Sequence, residues 1–170
     1  MRKKYLILVV VFCGVFFFDQ MTKAYVHRNL RRFQSIEVVE NFFHITYVRN
    51  TGAAFGLFAG PAHPLRTILF VTISAIAIGA IIFIYRKIEE DDTLHALAFS
   101  LLLGGAAGNL MDRVWMGEVI DFLDFHWYGH HWPAFNFADS AICGGIGLIF
   151  LNMVVGTRRS PLGGRARDRG

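Results

Sequence analysis

Residues 67–85 read TILFVTISAIAIGAIIFIY, and no charged side chain interrupts them. A helix needs about 20 predominantly apolar residues to cross a bilayer. This segment comes close to that length. Three further segments extend the pattern. Tyr5 to about Val26 carries Asp19 and Lys23 in its last turns. Leu94 to Leu110 is rich in small residues (Gly104, Gly105, Ala106, Ala107, Gly108). Ser140 to Val155 contains Gly144, Gly145 and Gly147. The last two fall slightly short of a span, so their flanking residues are expected at headgroup depth.

Composition agrees. Of 170 residues 54% are hydrophobic and 18% charged, against about 25% charged in soluble domains. The expected fold is an all-α polytopic membrane protein of one domain, residues 1–157, with helices at about 5–26, 67–85, 94–110 and 140–155. MRKK before an apolar run resembles a secretory leader, but no small-x-small site follows, and an uncleaved first helix is the better reading. Lys and Arg number ten on the side of the two chain ends and seven on the other. That bias predicts cytoplasmic N- and C-termini, with Arg28, Arg31 and Arg32 set aside as an interfacial ledge. IEVVENFFHITYV (36–48) mixes β-branched and aromatic residues, so an extracytoplasmic β-element over about 36–58 is expected between the first two helices. The basic tail, 158–170, reads as disordered. The modest net charge of +4, clustered beside apolar runs, points to membrane lipids as partners and not to nucleic acid. Cys13 and Cys143 lie in apolar runs and read as small fillers.

Acids in such a chain call for a reason, because an acid at mid-bilayer costs about 2.5–3.5 kcal/mol on insertion scales. VIDFLDF (119–125) holds Asp121 and Asp124, and FNFADS (135–140) holds Asp139. Gly129 and Pro133 between them allow the chain to turn back, so Asp121 and Asp139 can meet. Two adjoining carboxylates tend to share one proton. The anionic member can then take a proton from water while the protonated one polarises a carbonyl, which is the division of labour peptide hydrolysis needs. Plainer readings stand beside this one. Asp139 can cap the fourth helix, and Asp121 or Asp124 can be a wet interfacial acid.

The same openness holds elsewhere. Asn109, Asp112 and Arg113 close the third segment, either as a hydrogen-bonded network or as an Asp–Arg pair snorkelling outward. Asp19 and Lys23, four apart, share a helix face as a structural ion pair. Asn50 and Asn136 can hold substrate backbone or make turns. Gly104 and Gly108 form a small-xxx-small packing pattern. His126, His130 and His131 lack the spacing of a metal site and read as interfacial; no metal is expected.

Five blocks, FDQMTK (18–23), RNTGAAFG (49–56), GGAAGNLMDR (104–113), GEVIDFLDF (117–125) and FNFADS (135–140), together resemble the bacterial lipoprotein signal peptidase (signal peptidase II, prolipoprotein signal peptidase) family. The resemblance reaches about Val155. It implies an intramembrane aspartic endopeptidase of the bacterial inner membrane that needs no cofactor and works as a monomer. Its partners would be diacylglyceryl-modified prolipoproteins, cleaved before the lipidated cysteine near the periplasmic face. By motif position Asp121 and Asp139 would be the catalytic pair. Asn50, Asn109, Arg113, Asn136 and Gly108 would hold substrate or support that pair, and the small-residue face of the third helix would admit a substrate helix. Asp19, Lys23 and Asp112 remain structural, and Asp124 has no assigned chemistry. Two rivals use similar acids: a proton-coupled carrier, and a metal-dependent membrane phosphotransferase, whose D-G-x-x-A-R start is missing here.

Overall fold

The computed structural model of the protein describes residues 2–52, 58, 60 and 63–158, with side chains to residue 155. Its helices are α1 (Lys3–Asn29), α2 (Pro64–Lys87), α3 (Thr93–Met116) and α4 (Phe137–Arg158). All four are long and apolar enough to cross a membrane. On α2 only Phe70 and Tyr85 are buried, so the charge-free segment turns most of its surface to lipid. The tail beyond 158 and residues 53–57 of the β-element lie outside the described residues.

The helices run past the apolar cores that the sequence delimits, because their polar ends find partners. Asp92 opens α3 by accepting from the His95 amide at 3.1 Å. α3 continues six residues past Leu110, through Asp112 and Arg113, and stops at Gly117, whose φ of 74° is the left-handed cap that glycine takes without strain.

α3 is the central helix and packs on α1, α2 and α4. Its glycines set those approaches. Gly104 faces Val15 and the Phe12 carbonyl of α1, while Gly105 faces the Ala138 carbonyl and Ile142 of α4. Gly105→Leu is therefore expected to force α4 off α3 just before Asp139, at about 1–3 kcal/mol of stability. Thermal unfolding in detergent measures this, and an unchanged midpoint would refute the close packing.

The β-element is larger than expected. Strands β1 (Ser35–Val39) and β2 (Phe43–Asn50) precede α2, but β3 (Val119–Trp127) and β4 (His130–His131) come from the α3–α4 connection. They form one antiparallel sheet in the order β1-β2-β3-β4. The four helices with a small β-element are thus as expected, but the placing of the sheet between the first two helices alone is corrected. VIDFLDF is the strand β3. It pairs with β2 (His44 opposite Asp124, Val48 opposite Asp121), with a bulge in β2 between Ile45 and Val48. On its other edge Leu123 bridges Phe135. A buried segment must satisfy its backbone groups, and two flanking ladders do so. Ile120 and Phe122 pack on Val26 and Leu30 of the α1 end and on Tyr47, which roots the sheet on the helices. Phe33, Trp115 and Trp127 are exposed around it, as aromatic side chains are at a membrane–water boundary.

Candidate active site

Asn136, Phe137, Ala138 and Asp139 begin α4 with a reciprocal cap. The Asp139 amide donates to Asn136 Oδ1 at 2.9 Å, and the Asn136 amide donates to Asp139 Oδ2 at 3.2 Å. This is the capping-box arrangement, with Asn and Asp in the two roles. Asp139 thus takes part in the cap from inside the first turn, while Asn136 holds the capping position expected of Asp139, and this does not use up the residue. Asp139 Oδ1 accepts from Asn109 Nδ2 at 2.8 Å, and Asp139 still lines an open cleft.

Asn136 also reaches the other acid. Its side-chain Nδ2 donates to Asp121 Oδ1 at 2.8 Å, and the second oxygen of Asp121 accepts from Asn50 Nδ2 at 3.2 Å. One fully buried asparagine thus touches both carboxylates. Asp121 is 3% exposed. Burial first, and the charge of Asp139 second, push its carboxyl up to about 7. The two acids, Asn50, Asn109 and Arg113 line a cleft of about 490 Å³ whose far wall is apolar, including Ile142 and Ile146. Arg113 donates to the Gly52 carbonyl at 3.0 Å and to the Asn109 carbonyl at 3.3 Å, and it lies over the Phe70 ring.

Behind the cleft sits a buried ion cluster. Lys23 spends its three donors on Asp19 Oδ2 at 2.9 Å, Asp112 Oδ2 at 2.9 Å and Asn109 Oδ1 at 3.0 Å. Asp19, Lys23 and Asp112 are all at most 2% exposed. An unpaired charge there would be very costly, so full pairing is a condition of the fold. Each acid has a second task. Asp112 Oδ2 accepts from the Ile120 amide at 3.2 Å, and Asp19 Oδ1 accepts from the Ala138 amide at 2.9 Å. The cluster therefore grips the residue before Asp121 and the residue before Asp139. Because Lys23 occupies the Asn109 oxygen, the Asn109 amide must turn its N–H toward Asp139.

Two sequence readings are corrected here. Asp112 and Arg113 do not snorkel outward as a pair; Asp112 turns inward to Lys23, whose buried ammonium needs it. Gly108 does not offer a surface to a substrate helix. It abuts the Asp19 carboxylate, and its carbonyl accepts from Gln20 at 3.2 Å, so α1 covers that face. The packing reading of Gly104 and Gly108 is the one realised. Gln20, overlooked in the sequence, bridges Asp19 and Asp112 at 3.1 Å to each; its place within FDQMTK was the available signal. Asp124 joins Thr46 and His131 instead of the cleft.

The likeness to known proteins covers nearly all of this architecture. A family model described as signal peptidase (SPase) II matches residues 11–155. The lipoprotein signal peptidase of Geobacter metallireducens is 46% identical over 94% of this chain and 97% of its own, and that of Syntrophotalea carbinolica is 48% identical over 85% and 89%. Two solved structures described as bacterial membrane enzymes superpose with TM-scores of 0.80 and 0.77 at 32% and 36% identity. They cover 93% and 91% of this chain and 94% and 97% of theirs. The matched region contains every residue of the cleft and of the ion cluster behind it, and on that ground the chain belongs to the signal peptidase II family of proteases.

Proposed function

We propose that the protein removes signal peptides from lipid-modified prolipoproteins, cleaving before the lipidated cysteine, with Asp121 and Asp139 as an aspartic pair. The convergence of both carboxylates on Asn136 at the mouth of one cleft carries this reading. In the resting pair the shared proton is held on Asp121, whose burial favours the neutral form. Asp139 takes a proton from water, and the water oxygen attacks the scissile carbonyl carbon while Asp121 gives its proton to the carbonyl oxygen. As the tetrahedral intermediate collapses, Asp139 gives the proton it took to the leaving amine, a hydroxyl of the intermediate returns one to Asp121, and the C–N bond breaks with the pair reset. Arg113 and Asn50, at the cleft rim, hold substrate backbone.

Depth supports the substrate class. Acyl chains on the cysteine stay in the bilayer, so the bond to be cut lies near the membrane surface. A pair at the junction of α3, α4 and an interfacial sheet sits at that level. With the chain ends cytoplasmic by the basic-residue bias, the cleft faces the outside of the inner membrane, and water reaches it from there.

Cleavage by the purified protein in detergent, read as a gel shift of a lipidated precursor, tests the assignment; an unshifted precursor would refute it. The rate is expected to fall as pH rises through about 7, where Asp121 loses its proton, tending toward about tenfold per pH unit. The apparent value belongs to the pair. The linked effect on stability has a definite sign. A carboxyl raised in the folded state favours folding most below its ordinary value of 3.8, and that contribution is lost as pH climbs from there to about 7.

A further inference from the structure

Side chains alternate along a strand, so Asp124 and His126 of β3 share one face and Asp121 is turned to the other. On the Asp124 face three strands gather groups that peptide hydrolysis does not use. His44 of β2 stands opposite Asp124, and His131 of β4 stands opposite His126. One ring nitrogen from each of His44 and His126 and one Asp124 oxygen lie within 4.8 Å of one another.

Their hydrogen bonding is incomplete in a telling way. His126 is 6% exposed, yet its Nδ1 has no hydrogen-bond partner among the described residues, and neither has the buried His44 Nε2. Glu37 Oε2 stands 3.5 Å from His44 Nε2 but out of hydrogen-bonding geometry. Buried polar atoms nearly always find partners, so two orphan imidazole nitrogens beside one carboxylate call for an occupant. The Asp124 carboxylate is already oriented, since His131 Nδ1 lies 2.9 Å from its Oδ1 and Thr46 Oγ1 donates to Oδ2 at 3.4 Å.

We propose that His44, Asp124 and His126 form a binding site for a divalent transition-metal ion of the zinc type, with His131 orienting the carboxylate. Two imidazoles and a carboxylate suit zinc and leave a fourth position for water. The hydrogen bond from a neighbouring histidine to the ligating acid is the support such sites use. Zinc–nitrogen bonds of about 2.0–2.1 Å require the three donor atoms to close inward by roughly an ångström, within reach of side-chain rotation. His131 is half-exposed and gives the ion a path from water. Bound there, the ion clips β2 to β3 three residues from Asp121, so it stabilises the sheet without entering the cleft. The site does not depend on the proteolytic reading.

The test uses the full-length protein without a histidine tag, chelator-treated in detergent and titrated with ZnCl2 by calorimetry, alongside thermal unfolding with and without zinc. The wild type is expected to bind one zinc per chain with a raised melting temperature. His131→Ala should weaken binding about 10- to 100-fold. His44→Gln and Asp124→Asn should weaken it further and lose the thermal shift. His44 is partly exposed, so His44→Gln keeps the zinc-free fold, as its zinc-free melting temperature will verify, even if His126→Gln does not. Absence of saturable binding to the wild type overturns the proposal. So does wild-type affinity in His44→Gln and Asp124→Asn, which would place the metal on His27, His63, His95 or His130.

Discussion

Asp121→Asn and Asp139→Asn each reduce cleavage of a lipidated precursor by at least about 10²–10⁴-fold, the contribution of general acid–base transfer, while membrane insertion persists and the melting temperature falls only by the loss of one hydrogen bond at each site. The two substitutions separate chemistry from structure for a specific reason. Asn at 139 still presents an oxygen to the Asn136 amide, so the cap at the start of α4 survives, at the cost of the hydrogen bond from Asn109 Nδ2. What is lost is the anion that accepts a proton from water. Were Asp139 only a cap, Asp139→Asn would cleave normally. At Asp121 the substitution removes the proton donor and keeps one acceptor oxygen, enough for the hydrogen bond from Asn136 or the one from Asn50 but not both. Gel-shift processing measures both, and wild-type rates in either variant would remove that residue from the pair.

Lys23→Met is the second large effect, and it acts on fold and chemistry together. It leaves Asp19 and Asp112 buried without their ammonium, a loss of about 3–5 kcal/mol by comparison with other broken buried pairs. It also removes one of the two donors on the Asn109 oxygen, leaving Asn136 Nδ2 alone at 3.1 Å to keep the Asn109 N–H toward Asp139, so that orientation is loosened. Adding Asp19→Asn and Asp112→Asn removes the stranded charges. This triple variant is expected to regain much of the stability while its cleavage rate stays depressed. Thermal unfolding and processing, measured side by side, check the split. Full recovery of activity with stability would make the cluster a purely structural element.

How far the chain could be read from its residues depends on where each cause lies. Apolar spans announce themselves, because lipid exposure leaves α2 uninterrupted by charge. The Asp19–Lys23 pair was visible because both residues lie on one helix at i, i+4; a cap at the start of the fourth helix was visible for the same local reason, but it was assigned to Asp139, and the capping position falls on Asn136. β3 was hidden. Ile120 and Phe122 go into the core while Asp121 goes to the cleft and Asp124 to the opposite face, so no simple apolar–polar alternation marks it. The inward turn of Asp112 depends on Lys23 from another helix. The gathering of His44 with His126 depends on the register between β2 and β3, which no local pattern specifies.

The proposed pair can be examined without substrate. Infrared difference spectroscopy across pH 5–9 follows protonated carboxyl groups, comparing wild type with Asp121→Asn. One carboxyl proton titrating near pH 7 in the wild type and missing from the variant is the expected result. A wild type in which no such proton titrates, with both acids ionised across the range, would contradict a pair that holds one proton between them.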